Sequence, residues 1–135
     1  VAALVLLLTG CSGVSEKVDR LMSSTPAAPS TTASAPGVTA QQVIDEFAAK
    51  GLSVPKPRDN SQQNCTTYKC SQLVTTDAIT VVTFADEAAA TKYADAMNGA
   101  GGAFRHKLVV LSYAAAKTPQ ADRPRYEAAL TALVP

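Results

Sequence analysis

The chain has no tryptophan, a single histidine, and only three phenylalanines and four tyrosines in 135 residues. With aromatics at 5%, any hydrophobic core must be built mainly from aliphatic side chains. Neither sign of charge dominates: 12 Lys+Arg stand against 11 Asp+Glu, a formal net charge of +1. This balance argues against a dedicated nucleic-acid binder, which carries a concentrated basic excess. It also excludes a strongly acidic solvating tail. The longest run without a polar side chain is Val1–Leu8 (VAALVLLL), far short of the roughly 20 residues a membrane-spanning helix needs. The chain holds no internal repeat, no Gly-x-Ser-x-Gly elbow and no Cys-x-x-Cys pair.

That apolar run suits the middle of a secretory signal whose basic start lies before Val1. It leads into Leu8, Thr9, Gly10 and Cys11, which resemble the bacterial lipobox, a small-residue pair followed by cysteine. The resemblance implies that the Cys11 thiol takes a diacylglyceryl group through a thioether and that a peptidase cleaves just before it. Residues 1–10 are then a partial signal peptide, and Cys11 is the lipidated first residue of the mature chain. The residue types suit this chemistry: a thiolate is a strong nucleophile, and small residues leave the backbone open to a protease. Two acyl chains anchor stably where one alone is marginal.

Residues 11–38 read as a tether. Ser23–Gly37 (SSTPAAPSTTASAPG) draws only on Ser, Thr, Pro, Ala and Gly, and such a stretch cannot offset its ordering entropy by burial. As a flexible coil, Ser12–Val38 reaches roughly 30 Å. Ser and Thr beside Pro is also the composition of O-glycosylated stalks. Val14, Val18 and Leu21 follow helical spacing, but a segment this short frays in isolation.

Folded structure is expected over residues 39–135. Thr39 and Gln42 have capping-box spacing, and Val43, Ile44, Phe47 and Ala48 form a stripe ending at Gly51, which predicts a helix over Ala40–Lys50. Leu52–Pro55 is extended beside its prolines, and Arg58–Ser71 reads as a polar loop. Strands follow at Gln72–Thr76 and Ile79–Phe84, the second rich in β-branched residues. Asp86 should cap a helix over Glu87–Asn98, with Ala89, Tyr93, Ala96 and Met97 inward. Lys107–Tyr113 is the most apolar strand and should lie inside the sheet. Asp122 should cap the last helix, with Pro124 in its first turn. The expected fold is a small α+β domain: a mainly antiparallel sheet of three to four strands with about three helices on one face. Of its 45 hydrophobic residues, 19 are alanine, and alanines bury little area each.

With Cys11 assigned to lipid, Cys65 and Cys70 remain, with four residues between them in the polar segment. Outside the cytoplasmic membrane a disulfide is the natural pairing, contributing roughly 2 kcal/mol for so short a ring. A redox pair fits poorly, because four residues intervene rather than two. Zinc would need two further ligands, and His106 is the sole histidine. Asn64-Cys65-Thr66 matches the N-glycosylation triplet, read here as coincidence.

Catalytic candidates are thin. His106 sits between Arg105 and Lys107 with no carboxylate nearby in sequence to orient it. Asp45-Glu46 and Asp86-Glu87 fit helix capping and solubility. Gly99-Ala-Gly-Gly102 lacks the strand before and helix after that a phosphate cradle requires. No catalytic residue, metal or cofactor is assigned. The cations Lys56, Arg58, Lys69, Arg105, Lys107, Arg123 and Arg125 are dispersed along the chain, with convergence into a patch for anionic lipid or glycan as the alternative.

Gly51–Phe84 (GLSVPKPRDNSQQNCTTYKCSQLVTTDAITVVTF) resembles small uncharacterised lipoproteins of actinobacteria such as mycobacteria, or of their phages. The elements that carry the likeness are Gly-Leu-x-Val-Pro, Arg-Asp-Asn, the cysteine pair and Gln-Leu-Val-Thr-Thr-Asp. The resemblance implies a location on the outer face of the cell membrane and brings no activity with it. The leading expectation is a non-enzymatic binding module facing an envelope protein or glycan through Arg58, Asp59, Asn60, Tyr68 and Lys69, because polar loops on rigid scaffolds carry recognition. A phage-encoded superinfection-exclusion lipoprotein and an envelope enzyme or accessory factor are the alternatives.

Overall fold

The structure, a computed structural model, describes residues 37–135. The expectations for the signal segment, Cys11 and most of the tether lie outside the described residues. Helix α1 (Ala40–Ala49) starts on the expected capping box: the Gln42 N–H donates to Thr39 Oγ1, and the Thr39 N–H donates to Gln42 Oε1. Its end is equally local. Gly51 takes a φ of +73°, the Gly51 N–H donates to the Ala48 carbonyl, and the Leu52 N–H reaches back to that of Phe47. These two bonds close a Schellman motif, whose left-handed residue is most easily glycine.

Next come β1 (Arg58–Asp59), α2 (Ser61–Tyr68), β2 (Cys70–Thr75), β3 (Thr80–Phe84), α3 (Glu87–Asn98), β4 (Ala103–His106), β5 (Val109–Ser112), a 3-10 turn at Gln120–Asp122, and α4 (Arg123–Leu133). The class is α+β as expected, with four helices and a five-stranded antiparallel sheet ordered β1-β2-β3-β5-β4. Leu52–Pro55 forms no strand. The hairpin at Thr76–Ala78 is present, closed by the Thr76 hydroxyl, which accepts from the Ala78 and Ile79 N–H groups and donates to the Ile79 carbonyl.

Three expectations are corrected. The first concerns layers: helices cover both faces of the sheet. Val74, Val81, Val109 and Leu111 pack with Val43, Ile44 and Phe47 of α1 and Tyr126 and Leu130 of α4. Their sequence neighbours Leu73, Val82 and Val110 pack the other way, with Ala90, Tyr93 and Ala94 of α3. Successive strand residues point to opposite faces, so the doublets Leu73-Val74, Val81-Val82 and Val110-Leu111 require two apolar layers. An alternating pattern would have required one.

The second concerns β4, a strand not expected from sequence. It pairs with β5 across Lys107 and Leu108, where Lys107 adopts a φ of +51°. The turn is made without glycine or asparagine, so the signal that usually marks a hairpin is missing. The interior position expected for the Lys107–Tyr113 segment holds for β5, which lies between β3 and β4.

The third concerns helix faces and caps. In α3 the buried positions are Ala90, Tyr93 and Ala94, while Ala96 is exposed; the apolar stripe is rotated from the expected one. Asp86 does cap α3, accepting from the Ala89 N–H at 2.8 Å. Asp122 precedes α4 without a side-chain capping bond, and Pro124 lies in the first turn; the 3-10 turn before it already sets the direction of the chain.

Candidate functional site

The segment expected to be a polar loop is the principal departure from the sequence reading. Arg58 and Asp59 form edge strand β1, paired with Thr75 and Val74. Asn60 sits at the cap position of α2, and Tyr68 and Lys69 close it. The five candidate residues are therefore brought together on one strand–helix unit, but not on a loop. No residue of α2 is buried. Its composition, SQQNCTTY, offers no apolar stripe, so nothing in the residue pattern announces a helix.

What holds α2 is a set of local ties. Asp59 Oδ1 accepts from the Ser61 N–H at 2.9 Å and from the Ser61 hydroxyl at 2.5 Å, and Asp59 Oδ2 accepts from Gln72 Nε2 at 3.1 Å. Ser61 Oγ in turn accepts the Leu73 N–H at 2.9 Å. The Asn60 N–H donates to the Leu73 carbonyl, and Asn64 Nδ2 donates to the Asn60 carbonyl. The Ser61 hydroxyl is the main reason the Asp59 carboxyl lies below its ordinary value; partial burial opposes this, and the Ser61 N–H and Gln72 assist it. Hydrogen bonds to the ionised form favour that form.

At the far end, Lys69 turns the chain with a φ of +59°, and Cys70 opens β2. Cys65 and Cys70 are joined by a disulfide with their Cα atoms 4.5 Å apart. A bulge follows at once: Cys70 pairs with Phe84 and Gln72 with Thr83, leaving Ser71 as the extra residue. Tyr68, 39% exposed, is the large hydrophobic residue left open to solvent among the described residues. Its ring meets Tyr93 edge-on at 5.1 Å, and Tyr93 meets Phe84 at 5.5 Å. Burial raises the Tyr93 phenol pKa. The result is a polar helix pinned by a covalent bond at its centre, a carboxylate at its start and an aromatic contact at its end.

The remaining candidates are used elsewhere. His106 Nε2 lies 2.6 Å from the Val134 carbonyl, and the Lys107 ammonium donates to the Pro135 carbonyl, tying the β4–β5 turn to the end of α4. Asp45 accepts from Gln41 and Glu46 pairs with Lys50 at 3.0 Å, while Glu87 faces Arg105 at 3.8 Å. The acidic pairs are thus split among separate partners. Gly101 and Gly102 serve close packing: a Cβ on Gly101 would lie 2.9 Å from Ala114 Cα, and one on Gly102 3.0 Å from Arg123 Nη1. Arg123 stacks over Tyr113 at 4.4 Å and donates to the Gly101 carbonyl.

Two features escaped the sequence reading. A shallow depression of about 390 Å³ is lined by Val38, Gln42, Asp45, Glu46 and Leu133. It joins residues from the start and the end of the described sequence, so no local motif could mark it. The second is a convergence of charge: Lys56 and Arg58 both reach Asp77, at 3.4 and 3.3 Å. Only the β1–β2–β3 pairing brings positions 58 and 77 together.

Among the described residues, no group of three or more His, Cys, Asp or Glu side chains could hold a metal ion. Nor is any helix there long and apolar enough to cross a membrane. Compared with known proteins, the chain matches no family model, no curated protein and no solved structure.

Proposed function

We propose that the chain is an outward-facing lipoprotein whose globular part is a non-enzymatic interaction module of the cell envelope. In this reading Cys11 carries the lipid, residues 11–38 are the tether, and residues 39–135 present the α2 unit to an envelope protein or glycan. The observation that carries the reading is α2 itself, a helix that buries no residue and is held by a disulfide. A helix contributing nothing large to the core is maintained for its outer surface, and a disulfide suits an oxidising compartment. The lipobox resemblance at Leu8–Cys11 and the likeness of Gly51–Phe84 to actinobacterial lipoproteins support the location.

The test has two arms. Mass spectrometry of the mature protein should find a diacylated Cys11 at its amino terminus and no free thiols; an unmodified Cys11 overturns the anchor. A photo-crosslinking residue in place of Gln63, on the exposed side of α2, should capture an envelope component in native cells. The same probe in place of Lys92 on α3 should not. Equal capture from both positions removes α2 as the recognition surface.

A further inference from the structure

Helix α2 is held to the sheet in two unlike ways along its length. Its first half is held by hydrogen bonds: Asp59 accepts from Ser61, Ser61 Oγ accepts the Leu73 N–H, and the Asn60 N–H donates to the Leu73 carbonyl. Beyond Asn64 the ties are the Cys65–Cys70 disulfide and the edge-on contact of Tyr68 with Tyr93. Cys65 and Cys70 pack against the cluster that holds Phe84 and Tyr93. Tyr68 is 39% exposed, whereas Tyr93, which it meets, is 6% exposed and Phe84 2%. The second half of α2 is therefore a cover over an aromatic pair, and one covalent bond fastens it.

Two further observations make that bond a release point. Lys69 lies within the ring that the disulfide closes and has a φ of +59°, a left-handed conformation that costs a lysine more than a glycine. Once the ring is open, no covalent constraint keeps it there. The two cysteines are also only half-buried, so a small thiol can reach their sulfurs. Exposed or strained disulfides are the ones that reduce readily, whereas buried structural ones resist.

We infer that the Cys65–Cys70 disulfide is a redox latch: its reduction frees the second half of α2, lifts Tyr68 off Tyr93 and withdraws the outer face of the helix as a binding surface. The chemistry balances with a dithiol as reductant. One of its thiolates attacks a bridge sulfur, which breaks the S–S bond and forms a mixed disulfide; its second thiol then displaces the protein cysteine from that intermediate. Two electrons and two protons pass to Cys65 and Cys70, and the reductant leaves as its own disulfide. The consequence for binding rests on the proposed role of α2, but the opening itself is measured without a partner.

The four tyrosines supply the readout: Tyr68 is exposed, while Tyr93, Tyr113 and Tyr126 are buried. In full chain carrying Cys11→Ser, tyrosine nitration followed by peptide mass spectrometry should modify Tyr68 alone. After reduction with dithiothreitol and capping with iodoacetamide, Tyr93 should be nitrated to the level of Tyr68, and Tyr113 and Tyr126 should stay protected. Cys65→Ser with Cys70→Ser should give the same pattern without a cap. A protected Tyr93 in both overturns the latch; labelling in the capped protein alone does so too, because the adduct is then the cause. Labelling of all four tyrosines also overturns it, since the whole domain has then opened. In native cells, the photo-crosslinking residue in place of Gln63 should lose its capture when both cysteines are serine, and undiminished capture overturns the switching of the surface. If that probe captures nothing with the bridge intact while Tyr93 still opens on reduction, the latch stands and only the recognition role of α2 falls.

Discussion

The two faces of the sheet are stabilised in different ways. Beneath α1 and α4 lie Phe47, Ile44, Leu130 and Leu111, all essentially inaccessible to water, with Phe47 and Tyr126 edge-to-face at 5.3 Å. On the opposite face α3 contributes one large side chain, Tyr93, beside the small Ala90 and Ala94, with Cys65 and Cys70 packed alongside. There α2 adds no buried side chain, and a disulfide fixes it. One face rests mainly on burial, with Tyr126 also donating to the Ser53 carbonyl; the other adds a covalent link. Apolar burial is worth about 25 cal/mol per Å², so alanine-lined packing needs such a supplement. A face fixed by local ties can also keep its outer surface polar and free for a partner.

The largest expected effect tests the burial-based face. Phe47→Ala removes a fully buried ring and its contact with Tyr126, and should cost about 3–5 kcal/mol. Urea denaturation should show one cooperative transition moved to much lower denaturant. A small loss with retained cooperativity would mean that the α1/α4 layer is not the main source of stability.

The middle-sized effect tests the other face. Cys65→Ser with Cys70→Ser should cost roughly 2 kcal/mol, and the damage should be local. Amide exchange should accelerate through Ser61–Lys69 while Val43, Ile44 and Phe47 keep their protection, since local openings follow local contact density. Uniform acceleration across both faces would erase the distinction between them.

How much of this was legible follows from where the determinants sit. Thr39 with Gln42, Gly51, and Asp86 are local signals, and each predicted the helix end it governs. Thr76-Asp77-Ala78 marked its hairpin for the same reason. Helix α2 was not legible because its determinants are a carboxylate before it, a strand beside it and a disulfide across its end. Strand β4 was hidden because Lys107, not glycine, makes its turn. The two-sided packing is written in the doublets Val81-Val82 and Val110-Leu111, whereas the sequence expectation placed the helices on one face. The Lys56–Arg58–Asp77 convergence depends on sheet register, which no local pattern specifies.

The smallest expected effect separates the start of α2 from its covalent anchor. The Asp59 carboxyl lies below its ordinary value of 3.8 because the ionised form accepts from Ser61 and Gln72. A group whose pKa is lower in the folded state contributes stability above the unfolded value and loses it as pH falls through the folded one. In the window below 3.8 the unfolded chain binds the proton first, so this contribution drains away on acidification. Asp59 is largely exposed, which keeps the effect small. The Ser61 amide resonance should titrate with a midpoint under 3.8, and Asp59→Asn should abolish that titration. Residues near Cys65 should be indifferent to both changes, because the disulfide does not titrate. If acid instead loosens Cys65–Tyr68 along with Ser61, the carboxylate, rather than the covalent bond, is what organises this helix.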